Sequence, residues 1–328
     1  MNLQLFAVNT GDALSSEMKT FYDLTLIDEA GANLVHHQFG QKRPIPANGG
    51  RTIEFRKFSA LPKATTPLTE GVTPDGKAMT VTNVTATVNQ YGDYITQSDV
   101  LELTAVDNTI LEATKLLGRQ AGLTMDTIVR NVLQSGTNVT YCPSLAAPTT
   151  EITSRANLKA DSMLTVDVVK KVVAKLRAQN APPVDGRNYV AIIHPYVAYD
   201  LMSDPKWEDY HKYASPENLF EGEIGRIAGV RFVQTTEAKI YTGDGCPAGL
   251  AVFGTLFLGA DAYGVTEVTG GGLQTIVKQK GSAGTADPLD QRSSVGWKAM
   301  ETAELLLPNY LIRVESCSQE FSGTATAN

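Results

Sequence analysis

The amino-acid sequence predicts an α+β fold with one very long helix and a series of short strands. Apolar residues recur at steps of three and four from Thr109 to Gln134, and a helix of that length would extend for roughly 40 Å. Short apolar runs bounded by turn residues predict strands, but they do not alternate with helices as in a parallel α/β sheet. A Thr-rich ribbon, Arg51–Thr96, alternates like a strand and contains few large apolar residues.

The N-terminal third contains a candidate helix and then the ribbon. An amphipathic stretch around Met18–Leu34 predicts a helix, although no pattern in the sequence ties it to a neighbouring core. Pro44–Gly50 is a turn, and Arg51–Ser59 alternates apolar and polar residues like a half-exposed strand. Three prolines within Leu61–Lys77 exclude a central strand there, and Met79–Thr96 then resumes the alternation.

The long helix has recognisable ends and a single apolar stripe. Thr109 and Glu112 form a capping-box pattern at its start, and Gly136 can take the left-handed conformation after its end. Gly118 and Gly122 make a heptad coiled coil a poor alternative, so we expect one long support that is packed along one face. The stripe consists of Ile110, Leu117, Ala121, Met125, Ile128 and Val132.

The C-terminal half predicts a second helix and several strands. The helix extends from Thr165 to Asn180 with valines inward and lysines outward, and Pro182 and Pro183 end it. A short helix can begin at Pro195. The predicted strands are Asn188–His194, Gly229–Thr235, Leu250–Gly259, Gly272–Gly281, Ser294–Met300 and Asn309–Ser316.

Composition excludes several classes of protein. The chain has 328 residues, of which 42% are apolar, and its formal net charge of -7 opposes tight binding to nucleic acid or to an anionic membrane. The longest apolar run, Ala248–Ala260, is broken by glycine and is too short to span a bilayer. Cys142, Cys246 and Cys317 are odd in number and far apart, so we expect three reduced thiols rather than a disulfide or a zinc site.

No histidine or glycine motif predicts catalysis. The adjacent His36 and His37 point apart on a helix or strand and are predicted to be solvated, and His211 is also expected at the surface. His194 ends an apolar strand and is predicted to be a structural histidine. The glycine-rich stretches lack the spacing of a nucleotide-binding loop. We therefore expect no catalytic residue, cofactor site or metal site.

The segment DPLDQR has two interpretations. Asp287, Asp290 and Arg292 could form a metal or acid–base site, or they could form an ion-pair network in a loop. We expect the second, at an interface between subunits and with Trp297 packed beneath it, because a flexible Gly/Ala loop precedes the segment and a strand follows it.

The ribbon is too long and too polar to belong to the core of its own chain. A compact globule of this length has a radius of gyration of about 20 Å, whereas each arm of Arg51–Thr96 could reach roughly 30–50 Å. A long unprotected strand edge invites aggregation, so we expect a projecting hairpin that docks on a neighbouring subunit. Its charged residues suit salt bridges across that interface: Arg51, Glu54, Arg56, Lys57, Glu70 and Lys77.

Three stretches carry a family resemblance: IPANGGRTIEFRKFSALPKATTPLTEGVTPDG, QYGDYITQSDVLELTAVD, and TADPLDQRSSVGWKA with its lead into LLLPNYLIRVES. They resemble the major capsid proteins of tailed bacteriophages with the HK97 fold, and specifically the family named after the podophage N-four. The resemblance covers nearly the whole chain and is most specific in Pro44–Asp107 and Thr285–Ala299.

The resemblance implies a domain organisation. Residues 1–43 would be an N-terminal arm, 44–99 an extended loop over the adjacent subunit, and 100–160 a peripheral domain with the long helix as its spine. Residues 161–263 would form an axial domain that points to the capsomer centre, and 264–328 would return to the peripheral domain. No motif supports the covalent lysine–asparagine cross-link of the fold's namesake, and none is predicted.

The function implied by the resemblance is structural. Copies of the chain would assemble as pentamers and hexamers, in the host bacterial cytoplasm, into the icosahedral head shell of a virion that encloses double-stranded DNA. The implied partners are a separate scaffolding protein, a portal, decoration or minor capsid proteins, and DNA through sequence-blind phosphate contacts; no membrane is involved. The alternatives are an encapsulin-type nanocompartment shell and, in another class, a soluble metal-dependent hydrolase that uses Asp287 and Asp290.

Overall fold

The computed structural model describes most of the chain. The described residues are 16–31, 33–44, 51–58, 61, 63–68, 70–73, 75–104, 109–207, 223–266, 273–282 and 287–328. Within them the α-helices are α1 Ser16–Gly31, α2 Asp99–Thr104, α3 Thr109–Gln134, α4 Val166–Ala178 and α5 Pro195–Met202. The strands are β1 Gln41–Arg43, β2 Thr52–Phe58, β3 Val81–Thr87, β4 Asn89–Ser98, β5 Val139–Tyr141, β6 Tyr189–Ile193, β7 Glu223–Ile227, β8 Val230–Gln234, β9 Ile240–Tyr241, β10 Val252–Leu258, β11 Tyr263–Thr266, β12 Leu273–Lys278, β13 Arg292–Glu301, β14 Ala303–Leu305 and β15 Leu311–Ser316.

This order of elements confirms the predicted α+β fold. The long helix α3 begins at Thr109 and ends at Gln134, as its periodicity predicts. The expectation of a left-handed residue after its end is wrong, because Gly136 does not have a positive φ. Helix α4 and the six strands predicted in the C-terminal half are all present, each overlapping its expected position. His211 lies outside the described residues, so its predicted surface position stays a prediction.

A seven-stranded sheet forms the largest core of the subunit. Its strand order is β5-β15-β10-β6-β8-β7, and β9 adds to one end of β10. The fully buried strand β10 pairs antiparallel with β15 and β6. On one face, Phe253 and Phe257 pack with the valines of α4 and with α5. On the other face, Leu256 packs with Val129 and Leu133, which lie in the C-terminal half of α3.

The N-terminal half of α3 belongs to a second core. Leu117, Ala121 and Met125 pack with Leu26 of α1 and with Trp297 of the three-stranded sheet β12-β13-β4. Helix α3 therefore supports two sheets, one along each half of its length. The sequence pattern did not connect this N-terminal helix to a core, and the structure shows that α1 is packed on α3.

Two glycines allow α1 to cross α3 at close range. A Cβ atom at Gly118 would lie 3.0 Å from the Leu26 carbonyl oxygen, and one at Gly122 would lie 2.5 Å from that of Ala30. Glycine in a helix interior costs about 1 kcal/mol relative to alanine, and the close packing of the two helices offsets that cost. Arg119 and Glu29 form an ion pair at 3.0 Å on the exposed side of the crossing.

The ribbon consists of β2 and β3, which pair antiparallel from Thr52↔Thr87 to Phe58↔Val81. Its base is anchored by Phe55, which is buried together with Leu306 in a small cluster. Strand β4 follows directly but pairs along its whole length with β13 of the same chain. The expectation that residues up to 99 serve contacts between subunits rather than contacts within the chain is therefore wrong for β4.

The crossing of α1 and α3 makes a testable prediction. Gly122→Val places a branched side chain against the Ala30 carbonyl, so we expect the free energy of unfolding of the isolated subunit to fall by roughly 1–3 kcal/mol. Leu123→Val creates the same residue one position along α3, on its exposed side, and should cost about 0.5 kcal/mol. Urea unfolding followed by circular dichroism compares them, and equal midpoints would mean that the crossing is loosely packed.

Candidate assembly surfaces

A buried hydrogen-bond cluster joins the segment after α1 to the long helix. The backbone N–H and the ring Nδ1–H of His36 each donate to one carboxylate oxygen of Asp126, both at 2.6 Å. The hydroxyl of Tyr263 in β11 donates to the His36 carbonyl oxygen. All three residues are fully buried. The prediction that His36 is solvated is wrong, because its backbone N–H and its Nδ1 are bonded in the interior to a carboxylate ninety residues along the chain.

The neighbouring His37 is buried as well, so its predicted solvation is also wrong. Its ring Nε2–H donates to the Thr266 carbonyl oxygen at 2.8 Å, and the Thr266 hydroxyl donates to Glu301 at 2.7 Å. Burial lowers the pKa of His37 and raises the pKa of Glu301 to about 8. Both groups are therefore neutral near pH 7, which avoids the cost of burying a charge. Solvent does not reach this cluster, so its role is structural: it connects the segment after α1 to β11 and to the end of β13.

The ribbon residues predicted to make salt bridges fall into two groups. Arg51, Glu54 and Arg56 are exposed at the base of the ribbon, and Asn83 donates to the Glu54 carboxylate at 3.4 Å. Lys57 lies in β2, but its side chain is outside the described part of the chain. Glu70 and Lys77 are exposed between β2 and β3. The structure separates the predicted charges into a basal set and a distal set.

The distal part of the ribbon, residues 61–80, is here called the apex. Every residue of the apex that the structure describes is exposed. Large apolar side chains are among them: Leu61, Leu68, Val72 and Met79 are 56–78% exposed. Four exposed large apolar side chains within twenty residues make the apex a candidate interaction surface. The sequence carries this signal, because these apolar residues stand out in a polar segment, whereas the predicted site consisted of its charged residues alone.

The segment DPLDQR forms a turn, and its first carboxylate is hydrogen-bonded within the same chain. Asp287 is buried, accepts a hydrogen bond from the Arg292 backbone N–H at 2.8 Å, and lies 3.8 Å from the Arg292 guanidinium. Asp290 and the Arg292 side chain are exposed. Trp297 is five residues further along β13, or about 16 Å, and donates to Gln120 of α3. The expectation that Trp297 lies beneath this segment is wrong.

The other candidate sites have structural roles or do not assemble. His194 caps α5 by accepting the Tyr196 backbone N–H at 3.2 Å, which confirms the predicted structural histidine. The three cysteines are free thiols, and burial raises the pKa of Cys317 to about 11. In the described ranges, no three His, Cys, Asp or Glu side chains form a group that could hold a metal ion. No helix among the described residues is long and apolar enough to cross a membrane.

These features define a class of protein. The subunit has a long helix that supports two sheets and an N-terminal segment that is hydrogen-bonded to that helix. It also has a ribbon with an exposed apolar apex. This combination is typical of a subunit that assembles with copies of itself into a shell. The chain belongs to the phage capsid protein family, whose sequence model matches residues 6–282. Members of that family are structural proteins. No curated protein sequence matches the chain.

Solved structures show the HK97-like fold. The capsid protein of Ralstonia phage GP4 superposes with a TM-score of 0.68 over 87% of this chain and 88% of that chain, at 12% identity. The capsid of cyanophage P-SCSP1u gives 0.62 over 95% and 92%, at 15% identity. The SrpI encapsulin of Synechococcus elongatus gives 0.55 over 88% and 89%, at 10% identity. The family and the fold together identify a major capsid protein that forms the icosahedral head shell of a tailed phage virion.

The buried Glu301 makes a testable prediction about pH. The folded chain keeps the Glu301 proton up to about pH 8, whereas the unfolded chain loses it near the ordinary pKa of 4.5. The folded state therefore binds more protons between these values, and stability falls as the pH rises through that window. Glu301→Gln removes this titration. We expect its free energy of unfolding to fall less steeply, by up to about 1.4 kcal/mol per pH unit.

Urea unfolding at several pH values within that window measures the effect. Glu304→Gln, on the adjacent strand β14 and half-buried, is the matched control and should keep the wild-type slope. Parallel slopes for wild type and Glu301→Gln would show that Glu301 is ionised in the folded chain.

Proposed function

We propose that copies of this chain assemble as pentamers and hexamers into the shell around packaged double-stranded DNA, with the ribbon of each copy lying on the next copy. The observation that carries this proposal is the exposed apex. Its apolar side chains are exposed among the residues that the structure describes, and burying them would contribute roughly 25 cal/mol per Å² of apolar surface. In a closed shell, every copy can both offer its apex and receive one.

The proposed domain roles follow the two cores. Residues 1–43 would form the arm and 44–88 the extended loop. Strand β4, which was expected in that loop, would instead join α3, β12 and β13 in the peripheral domain. Residues 161–263 supply most of the seven-stranded sheet of the axial domain, but β5 and β15 pair within the same sheet. We therefore propose that the axial domain also includes these two strands from 100–160 and 264–328.

Charge supports the role of a container. A subunit with a formal net charge of -7 does not bind DNA tightly over its whole surface. Its contacts with packaged DNA would therefore be local, made to phosphates and independent of sequence. The proposed partners are a separate scaffolding protein, a portal, and decoration or minor capsid proteins. We propose no catalytic activity and no cofactor.

An encapsulin-type shell is the second candidate, and it has less support. The encapsulin superposes less well than the phage capsids, with a TM-score of 0.55 against 0.68 for the Ralstonia phage protein. The family match is to phage capsid proteins. Copurification of a specific cargo enzyme with the assembled shell would favour the encapsulin.

Deletion of Thr65–Lys77 tests the role of the apex. The strands β2 and β3 and their buried base remain, so the isolated subunit should unfold within a few degrees of the wild type, since surface changes have small effects on stability. Shells should be absent in negative-stain electron microscopy. A large fall in thermal stability would place the apex in the core of its own chain, and normal shells would exclude it from assembly.

Arg292→Ala tests the predicted contact near the turn before β13. Arg292 is 60% exposed, and its guanidinium lies 3.8 Å from the Asp287 carboxylate. Ion pairs at exposed positions contribute little, so its removal should leave the stability of the subunit within about 1 kcal/mol of wild type. If Asp290 and Arg292 pair with a neighbouring subunit, assembly should become slower and more sensitive to salt, because the small effect recurs at every equivalent contact. Light scattering during assembly at low and high salt measures this, and unchanged rates would remove Arg292 from the interface.

A further inference from the structure

A cleft lies between the N-terminal end of α4 and the C-terminal end of α5, and the segments that follow β5 and β15 also line it. Its volume is about 750 Å³, which is in the range of cavities that hold small molecules. Apolar residues form a large part of its wall: Pro143, Leu145, Pro148, Met163, Leu164 and Val168. The cleft can therefore accommodate an aliphatic chain of several carbon atoms.

Two carboxylates in the cleft are satisfied within the chain. Asp204 accepts hydrogen bonds from the backbone N–H groups of Val166 and Lys206, both at 3.0 Å. The Lys206 side chain pairs with Asp167 and lowers its pKa, and Lys171 contributes to the same shift. Both lysines that line the cleft therefore act on this pair of carboxylates.

A second pair of carboxylates, Asp200 of α5 and Glu320 after β15, also lines the cleft. Asp200 is only 7% exposed, and its Oδ2 has no hydrogen-bond partner among the residues that the structure describes. Burial raises the pKa of Asp200; the nearby Ser318 hydroxyl opposes that rise, and the like charge of Glu320 adds to it. A buried carboxylate beside another carboxylate is stabilised by a cation that lies close to both.

An aromatic ring lies next to this second pair. Tyr199 precedes Asp200 on α5, lines the cleft and is 48% exposed. Its ring is nearly perpendicular to that of Phe321, with 5.8 Å between the ring centres. The face of a tyrosine ring attracts a cation within about 6 Å of its centre. Two carboxylates, an aromatic ring and an aliphatic wall together are the groups that bind an organic ammonium ion.

A metal ion fits the cleft less well than an organic cation does. Calcium takes about six to eight oxygen ligands, whereas no three His, Cys, Asp or Glu side chains of the described ranges form a group that could hold a metal. A magnesium ion would keep most of its water ligands and would leave the apolar wall uncovered. An alkylammonium ion uses both the carboxylates and the wall.

We propose that the cleft is a binding site for a small aliphatic amine. The ammonium group lies between Asp200 and Glu320 and beside the Tyr199 ring, and the carbon chain lies along the wall that includes Leu145. The ligand is a free molecule and not a segment of protein. Its charge offsets the repulsion between Asp200 and Glu320, so binding stabilises the contact of α5 with the segment after β15. This site goes beyond the shell function, because it requires only the folded subunit.

Ligand-observed NMR titration of the full chain before assembly tests whether the site requires both a charge and a carbon chain. The probe is butylamine at pH 7. The matched controls are butanol, which keeps the chain without the charge, and ammonium chloride, which keeps the charge without the chain. Butylamine should bind saturably, with an affinity about tenfold or more above that of either control. Equal affinities for butylamine and ammonium would overturn the proposal.

Substitutions locate the bound amine. Asp200→Asn keeps the shape of the side chain and removes its charge, so the affinity for butylamine should fall about tenfold. Glu320→Gln, at an exposed position, should weaken binding as well, and it tests the site even if Asp200→Asn disturbs folding. Asp244→Asn, at an exposed position outside the cleft, is the matched control and should keep the wild-type affinity. Circular dichroism shows which variants are folded.

Three outcomes would overturn this assignment. The folded wild-type chain could lack saturable binding of butylamine, or its affinity could equal that of Asp200→Asn and Glu320→Gln. Magnesium chloride could displace butylamine at matched ionic strength, which would assign the cleft to a metal ion. Because the titration uses subunits that have not assembled, none of these outcomes bears on the shell function, and failure to form shells would not affect the amine site.

Discussion

The paired hydrogen bonds from His36 to Asp126 are the contact on which the arrangement of the subunit depends. A buried carboxylate without partners costs several kcal/mol, and Asp126 lies in the middle of α3, the helix that both sheets share. Two of its hydrogen bonds come from His36. The packed position of α3 therefore requires the segment after α1 to stay in place, and that segment leads into β1, which pairs with β11.

The same cluster shows how the interior tolerates ionisable groups. Asp126 is satisfied by donors, whereas Glu301 keeps its proton because burial raises its pKa. Thr266 links His37 to Glu301, since its carbonyl oxygen accepts a hydrogen bond from His37 and its hydroxyl donates one to Glu301. Polar groups from the segment after α1, from β11 and from the end of β13 thus meet without exposed charge. Such a joint is specific, because each group has a partner in a different element.

Local patterns predicted the elements well, and they failed where a distant partner decides the outcome. The period of α3 is local, so its ends were predictable, although Gly136 does not form the left-handed cap that was expected. Its stripe was predictable only in part: Leu117, Ala121 and Met125 are buried as expected, but further along the helix Val129 and Leu133 are buried rather than Ile128 and Val132. The burial of His36 depends on Asp126, and no local pattern connects them. Strands β3 and β4 share one Thr-rich alternation, yet only β4 has a partner two hundred residues later, in β13.

The continuity of β3 and β4 has a mechanical consequence. A single residue, Val88, separates the two strands, so a force on the ribbon passes directly into β4. Strand β4 is joined to β13 by an antiparallel ladder from Asn89↔Glu301 to Ser98↔Arg292, whose hydrogen bonds are perpendicular to the strands. A pull along β4 therefore loads all of these bonds together in shear rather than opening them one at a time. Internal pressure would create tension between neighbouring subunits. The sheet shares that tension among all of the β4–β13 hydrogen bonds, and its packing on α3 passes the force to the helix over a wide area.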